Sequence, residues 1–524
     1  MTAVTARSAW ILIALVPDLF LCSTLDVPMA WSSEKPVSTP PAPESSEREE
    51  SPPSDTRRED QEQEPRLGSL ARRQQDILLS DGFLVTLPQS RFHLDQALHV
   101  PDWLHLGLDF RTRYEAFSQP IRKNETTGGA QLSERTDVNV EMRYKPFKLH
   151  AEFLDARPLY NYGVVVSNTM EDENDVLQLY GSLGSDNFLG SGLPTELQIG
   201  KFTQAFGKNR LIARSFYSNV PYSFVGAHWS LGKQTDWQIR VFAMRPVQNQ
   251  QTSPDTWNTH TNFYGLSYLD QRTPWLHTEL YGFYLTQPSR VQGTSGLDQE
   301  QITEGEVQLT TLGFRLFQPE AKGAFNYEIE SVYQFGRSAL QPGSPMLTTF
   351  AYYQHAEVGY TFNLPWTPAI RFEYDYASGD KDPNDNHNGR FDPLFGTLTF
   401  DFTSAGIWTL YKRSNINSPG YFVSVEPAKN VRASFVQRLW WLAQAKDEFQ
   451  GANLQDPTGR AGTYLGSEFD VRLAWIVNPN LLLEGGWLYL IKGSYYSNLL
   501  KEGVAGSPND KNTDYVLVSM RLFF

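Results

Sequence analysis

From Leu104 to Phe524 one pattern keeps returning: short stretches in which every second residue is apolar and the residues between are charged or polar. Leu104, Leu106, Leu108 and Phe110 alternate with His105, Asp109, Arg111, Arg113 and Glu115. Val138, Val140, Met142 and Tyr144 alternate with Arg135, Asp137, Asn139, Glu141 and Arg143, and Phe469, Val471, Leu473 and Trp475 with Asp470 and Arg472. Successive side chains of a strand point to opposite faces, so each stretch has one face that seeks an apolar surround and one that seeks water. One such segment fits a half-buried strand of a sandwich. Roughly 18 of them, bounded by Gly, Asn, Asp and Pro and spaced at about 23 residues, fit a closed wall that is apolar outside and charged inside. The expected fold is all-β, a transmembrane antiparallel β-barrel of about 18 strands.

Composition agrees where it can discriminate. The mean hydropathy of -0.43 decides nothing, because alternation hides the apolar band of a barrel. Tyr (25), Phe (32) and Trp (13) do discriminate, since aromatic girdles mark both membrane interfaces of such barrels. A net charge of -14 with no basic stripe argues against nucleic acid as a partner. Cys22 is the only cysteine, which removes thiolate metal sites and cysteine nucleophiles from the rest of the chain.

The alternation divides the chain. Arg7, the apolar run from Trp10 to Val16 and its continuation to Cys22 read as a secretory leader over residues 1–30. Residues 31–76 are rich in Pro, Ser, Glu and Arg and cannot bury enough apolar surface to offset their ordering entropy, so a disordered periplasmic linker is expected. Residues 77–102 form a short lead-in, and 103–524 the barrel. In the last stretch Val516, Val518, Met520, Leu522 and Phe524 share a face, and pairing it with the first stretch would remove both sheet edges, which lipid does not tolerate.

Alternation sends to the lumen Arg111, Arg113, Glu115, Arg135, Arg143, Arg240, Arg315, Arg371, Glu373, Asp375, Arg432, Arg438, Arg472 and Arg521. Guanidinium groups stay charged and bind carboxylates through two parallel bonds, so such a wall suits an anionic solute. The same residues could instead form a salt-bridge lattice that stiffens the wall. The run Asp380, Asp382, Asp385 has the oxygen density of a Ca²⁺ loop, but Pro383 and the want of a well-placed Glu favour an Asx-rich turn. No other cofactor is indicated. The nine histidines are scattered, and there is no H-E-x-x-H, G-x-S-x-G or phosphate-binding glycine loop, so an enzyme is not expected.

One stretch identifies a family. Tyr376-Ala-Ser-Gly-Asp380, then Asp380-Lys-Asp382-Pro383, then Gly389-Arg-Phe391-Asp392-Pro-Leu394-Phe395 resembles the hallmark of the alginate export family of outer-membrane porins. Pro101 to Leu104 leading into Arg111-Thr-Arg113-Tyr114-Glu115 resembles its opening strand, and Asp155-Ala156-Arg157, Gly200-Lys201, Phe206-Gly207 and Arg210-Leu211 continue the likeness. The resemblance adds Asp155, Arg157, Lys201 and Arg210 to the pathway set. It implies a monomeric outer-membrane channel that passes alginate or a related acidic oligosaccharide, and the terminal aromatic strand ending at Phe524 resembles the sorting signal read by the barrel assembly machinery. Tyr222, Val225 and His228 stand where the family tends to have charged residues, which leaves a general or small-solute porin open. A barrel-borne hydrolase and a barrel plugged by its own loops stay open as well.

Overall fold

The computed structural model describes residues 76–78, 84–86, 92–215, 217–258, 260–288, 290–291, 303–339, 343–397, 402 and 406–524. The leader and nearly all of the expected linker lie outside them. Among the described residues, 18 long strands form one closed antiparallel barrel, as the alternation implies. They are β1 (Leu104–Phe117), β2 (Gly129–Tyr144), β3 (Phe147–Tyr162), β4 (Asp172–Ser185), β5 (Thr195–Phe202), β6 (Phe224–Lys233), β7 (Trp237–Gln248), β8 (Asn262–Asp270) and β9 (His277–Gln287), followed by β10 (Val307–Gln318), β11 (Ala324–Ser338), β12 (Leu347–Thr361), β13 (Ala369–Ala377), β14 (Ile416–Ala428), β15 (Val431–Trp441), β16 (Tyr464–Asn478), β17 (Leu481–Lys492) and β18 (Thr513–Phe523).

Burial is inverted relative to a water-soluble protein. On β16, Val471, Leu473 and Trp475 are exposed, whereas Glu468, Asp470 and Arg472 are buried. On β4, Leu179 and Leu183 face out while Gln178, Tyr180 and Ser182 face in. Charged side chains are almost never buried, nor large apolar ones exposed in bands, unless the outer solvent is lipid.

The ends differ. At one, two-residue turns such as Lys145-Pro146, Lys429-Asn430 and Pro479-Asn480 join neighbouring strands; at the other the connections are long, including 203–223, 378–415, 442–463 and 493–512, the last carrying the helix α1 (Ser494–Lys501). A lead-in helical turn, Leu94–Ala97, sits at the short-turn end, where Phe92 donates its backbone N–H to Asn480 Oδ1 at 3.0 Å.

β18 pairs with β1 from Tyr515 opposite Phe117 to Phe523 opposite Asp109, and Leu108 and Phe524 exchange backbone bonds of 3.0 and 2.8 Å. The Phe524 side chain makes an edge contact to Phe92, with ring centroids 6.3 Å apart. Phe524→Ser therefore keeps the closing bonds, and protein refolded in detergent is expected to melt as the parent does. If the terminal aromatic is what the assembly machinery reads, outer-membrane yield in cells falls severalfold; a normal yield contradicts that role.

Candidate functional site

Two connections fold back into the lumen. The stretch 203–223, between β5 and β6, meets the described parts of 378–415, between β13 and β14. Phe395 donates its N–H to the Leu211 carbonyl at 2.9 Å, Ala213 to the Phe395 carbonyl at 3.0 Å, and Thr397 to the Asn209 carbonyl at 2.9 Å. Gly396 permits this approach, since a Cβ there would lie 1.8 Å from the Arg210 carbonyl oxygen. The stretch 391–397, which carries part of the family likeness, is thus the anchor of a constriction. Phe391 and Phe395 are its apolar feet, and Asp392 accepts the Leu394 N–H at 2.8 Å while its own N–H donates to Gln334 Oε1 at 2.9 Å.

Aromatic side chains seat the paired connections against one flank of the wall. Phe395 lies 5.2 Å from Phe224 and 5.1 Å from Phe263, and Phe206 lies 5.2 Å from Phe242. Farther round, Tyr411 stacks on Trp440 at 3.8 Å and Trp408 packs on Tyr515 at 5.5 Å. These residues belong to one buried apolar cluster, which narrows the long-loop half of the lumen.

Charge holds the connections as well. Arg210 reaches Glu328 and Glu330 on β11, the latter at 2.6 Å. Arg214 binds both oxygens of Glu152 on β3. Burial opposes the Arg214 guanidinium, but Glu152 outweighs it, so its pKa is raised. Burial likewise opposes Arg390, and Asp447, which it binds at 2.9 Å, holds its pKa up. Burial pushes Tyr217 up to about 12, with Glu115 adding to the shift. Sequence reasoning misses Arg214 and Tyr217; the signal that could have found them is the presence of large side chains inside a connection with no strand period.

Most of the expected lumenal arginines line the interior beside carboxylates. Arg113 donates to Glu115 at 2.8 Å, Arg135 to Asp137 at 2.8 Å, Arg472 to Asp470 at 2.9 Å and Arg521 to Asp109 at 2.9 Å. Arg315 joins Glu279 and Glu328 at 3.1 and 3.2 Å, Arg371 joins Glu373 and Glu320 at 2.6 and 3.0 Å, and Arg432 joins Glu426 at 3.3 Å. Arg438 binds Glu373 at 2.7 Å and also Asp375. Arg143 binds Glu141 at the short-turn mouth and is partly exposed. Arg240 lies 3.3 Å from His228 and stands over the Phe206 ring at 3.6 Å.

Within this lattice one row differs. Arg521, Arg111 and Arg135 stand directly opposite one another across β18, β1 and β2, at mid-height on the inner face. The carbonyl of Ser218, on the inward connection, accepts from Arg111 at 3.1 Å and Arg135 at 3.2 Å, and Asn219 Oδ1 accepts from Arg111 at 2.8 Å. Like charges directly opposite cost stability, and here Asp109 and Asp137 pair with Arg521 and Arg135 while Arg111 leans on Ser218 and Asn219.

Three expected lumenal residues are not there. Asp155 and Arg157 share the outward face of β3 with Leu149 and Phe153, near the middle of the strand, where they pair at 2.8 Å. Lys201 lies on the outward face of β5 with Leu197 and Ile199 and binds Asp255 at 2.8 Å. These outward charges are met by one another and by the neighbouring acids Glu173 and Asp255. Val225, opposite Lys201 and Arg245, also faces out, His228 faces in, and the Tyr222 ring packs 6.1 Å from Phe395. In the 380–385 run, Asp382 Oδ1 accepts the Asn384 N–H at 3.3 Å and Asp385 Oδ1 the His387 N–H at 2.7 Å, which are Asx-turn bonds.

Solved barrels share this architecture. OccD3 (OpdP) of Pseudomonas aeruginosa superposes with a TM-score of 0.52 at 10% identity over 81% of this chain and 91% of its own. OccK8 (OprE) of the same organism gives 0.52 at 11% identity over 80% and 98%, and OccAB2 of Acinetobacter baumannii 0.51 at 14% over 80% and 98%. At such identities the likeness establishes the fold. No curated protein matches the sequence. The profile of the alginate export family matches residues 102–498, from the opening of β1 to α1. The chain is an outer-membrane β-barrel channel and belongs to the alginate export family.

Proposed function

We propose that the barrel passes an anionic hydrophilic solute, alginate or a related acidic oligosaccharide, passively and without a cofactor or covalent step. The observation that carries this reading is the opposed row Arg521, Arg111 and Arg135 at mid-height, beside the inward Ser218 and Asn219. A uronate carboxylate can take over guanidinium bonds that Ser218 and Asn219 now hold, and the flanking Asp109 and Asp137 keep the row from retaining it. The aromatic constriction favours a single extended chain over a bulky solute. The short-turn end is assigned to the periplasm, with the N-terminal arm and the lead-in turn on that side, and the protein acts as a monomer.

The test is block of single channels by an oligo-uronate, compared with a neutral oligosaccharide of equal length. Concentration-dependent block by the uronate alone is expected. Arg111→Gln removes one charge-assisted contact, about 1.5 kcal/mol, and should weaken block about tenfold. Equal block by both sugars, or a variant that blocks as the parent does, contradicts the reading.

A further inference from the structure

Three carboxylates from separate stretches converge near the long-loop rim. Asp172 and Asp175 come from the start of β4 and Asp255 from the connection between β7 and β8, and one oxygen of each lies within 4.8 Å of the others. The chain bends to bring them together: the β3–β4 ladder shifts register twice here, and Asn174, between the first two acids, has a left-handed φ of 55°. The 249–261 connection is drawn onto β4 by Glu173, whose N–H donates to the Gln251 carbonyl at 2.9 Å, and by Asp255, whose N–H donates to Asp175 Oδ2 at 3.1 Å.

A second observation concerns Asp172 itself. It is 1% exposed, and its Oδ1 is buried with no hydrogen-bond partner. A buried carboxylate oxygen left without a donor costs about 1–3 kcal/mol or more, and in a native protein it calls for a water or an ion. The other two acids are engaged: Asp175 accepts the Val176 N–H at 2.6 Å, Asp255 accepts the Gln250 N–H at 2.9 Å, and Lys201 Nζ lies 2.8 Å from Asp255 and 3.5 Å from Asp175. Lys201 brings one positive charge to the three carboxyl groups, and a divalent ion would supply the further positive charge needed to hold all three ionised.

We infer that Asp172, Asp175 and Asp255 form a binding site for a hard divalent cation, with calcium as its preferred occupant, that clamps the 249–261 connection to the barrel rim. Calcium accepts irregular sets of about six to eight oxygen ligands whereas magnesium demands near-ideal octahedral geometry, and three carboxylates fixed on a bulged strand and a separate connection suit the more tolerant ion. Lys201 competes with the ion for the same oxygens.

The test is calcium titration of the full-length protein, refolded in detergent and freed of metal, read by calorimetry and by melting temperature. The parent is expected to bind one Ca²⁺ more tightly than Mg²⁺ and to melt higher with it. Removing one carboxylate charge, in Asp172→Asn or Asp255→Asn, should weaken binding about tenfold or more. If Asp172→Asn fails to fold, Asp255→Asn, on a connection outside the strands, carries the comparison. Lys201→Met should bind calcium more tightly than the parent, because the competitor is gone, and Asp382→Asn should bind as the parent does. No binding at millimolar calcium overturns the inference. So do Asp255→Asn protein that binds like the parent, loss of binding in Asp382→Asn, and a preference for Mg²⁺.

Discussion

Gly396→Val is expected to raise single-channel conductance severalfold while the barrel still forms. The valine Cβ would meet the Arg210 carbonyl oxygen at 1.8 Å and its carbon at 2.5 Å. Both neighbours are backbone, so neither can rotate away, and the bonds from Phe395 to Leu211 and from Thr397 to Asn209 must open. The strand ladder does not include Gly396, and the wall keeps its pairing from β1 to β18. The 378–415 connection would lose its seat on 203–223 and with it the constriction. Unchanged conductance from a correctly folded Gly396→Val barrel would show that these connections do not set the width of the path.

Arg438→Met is expected to lower the free energy of unfolding by about 3–5 kcal/mol, the usual result of removing one partner from a buried ion pair. Arg438 is buried between Glu373 and Asp375 and also donates to Ser418 Oγ at 3.1 Å. Asp375 further accepts from Tyr353 and His355, at 2.5 and 2.9 Å, so the change strands an acid at the centre of a network joining β12 to β15. Adding Asp375→Asn should recover part of the loss, because the two residues are coupled. Denaturant unfolding in detergent measures both variants. Additive losses in the double variant would mean that the pair is not the unit that matters. Anion selectivity should change little in either, which separates the stiffening arginines from the mid-height row.

These two residues illustrate what the sequence made legible. Alternation in stretches such as Phe469 to Trp475 specifies which face meets lipid, and repeating it yields the strand number and the arginine wall. Period alone also places Asp155 and Arg157 beside Phe153, and Lys201 beside Ile199, on the outer face. The family likeness suggested the lumen for them, and the geometry follows the period. Their charges are paired where they stand, Arg157 with Asp155 and Glu173 and Lys201 with Asp255.

The constriction was not legible in the same way. Phe391, Phe395, Trp408 and Tyr411 lie in a stretch without strand periodicity, and no local rule states that a polar, glycine-rich connection turns inward. Their size was the available signal, because large aromatic groups in a supposedly wet loop require a surface to cover. The acidic rim cluster was hidden for a different reason. Asp172, Asp175 and Asp255 are brought together by register shifts and by a connection that begins some 70 residues further on, two features that a strand period does not encode.

The most direct test of an anion pathway is the reversal potential of single channels of the refolded full-length protein under a potassium chloride gradient. A potential displaced toward that of chloride, and displaced less in Arg111→Gln, is expected. Cation preference, or a barrel that inserts in the bilayer but never conducts, contradicts it.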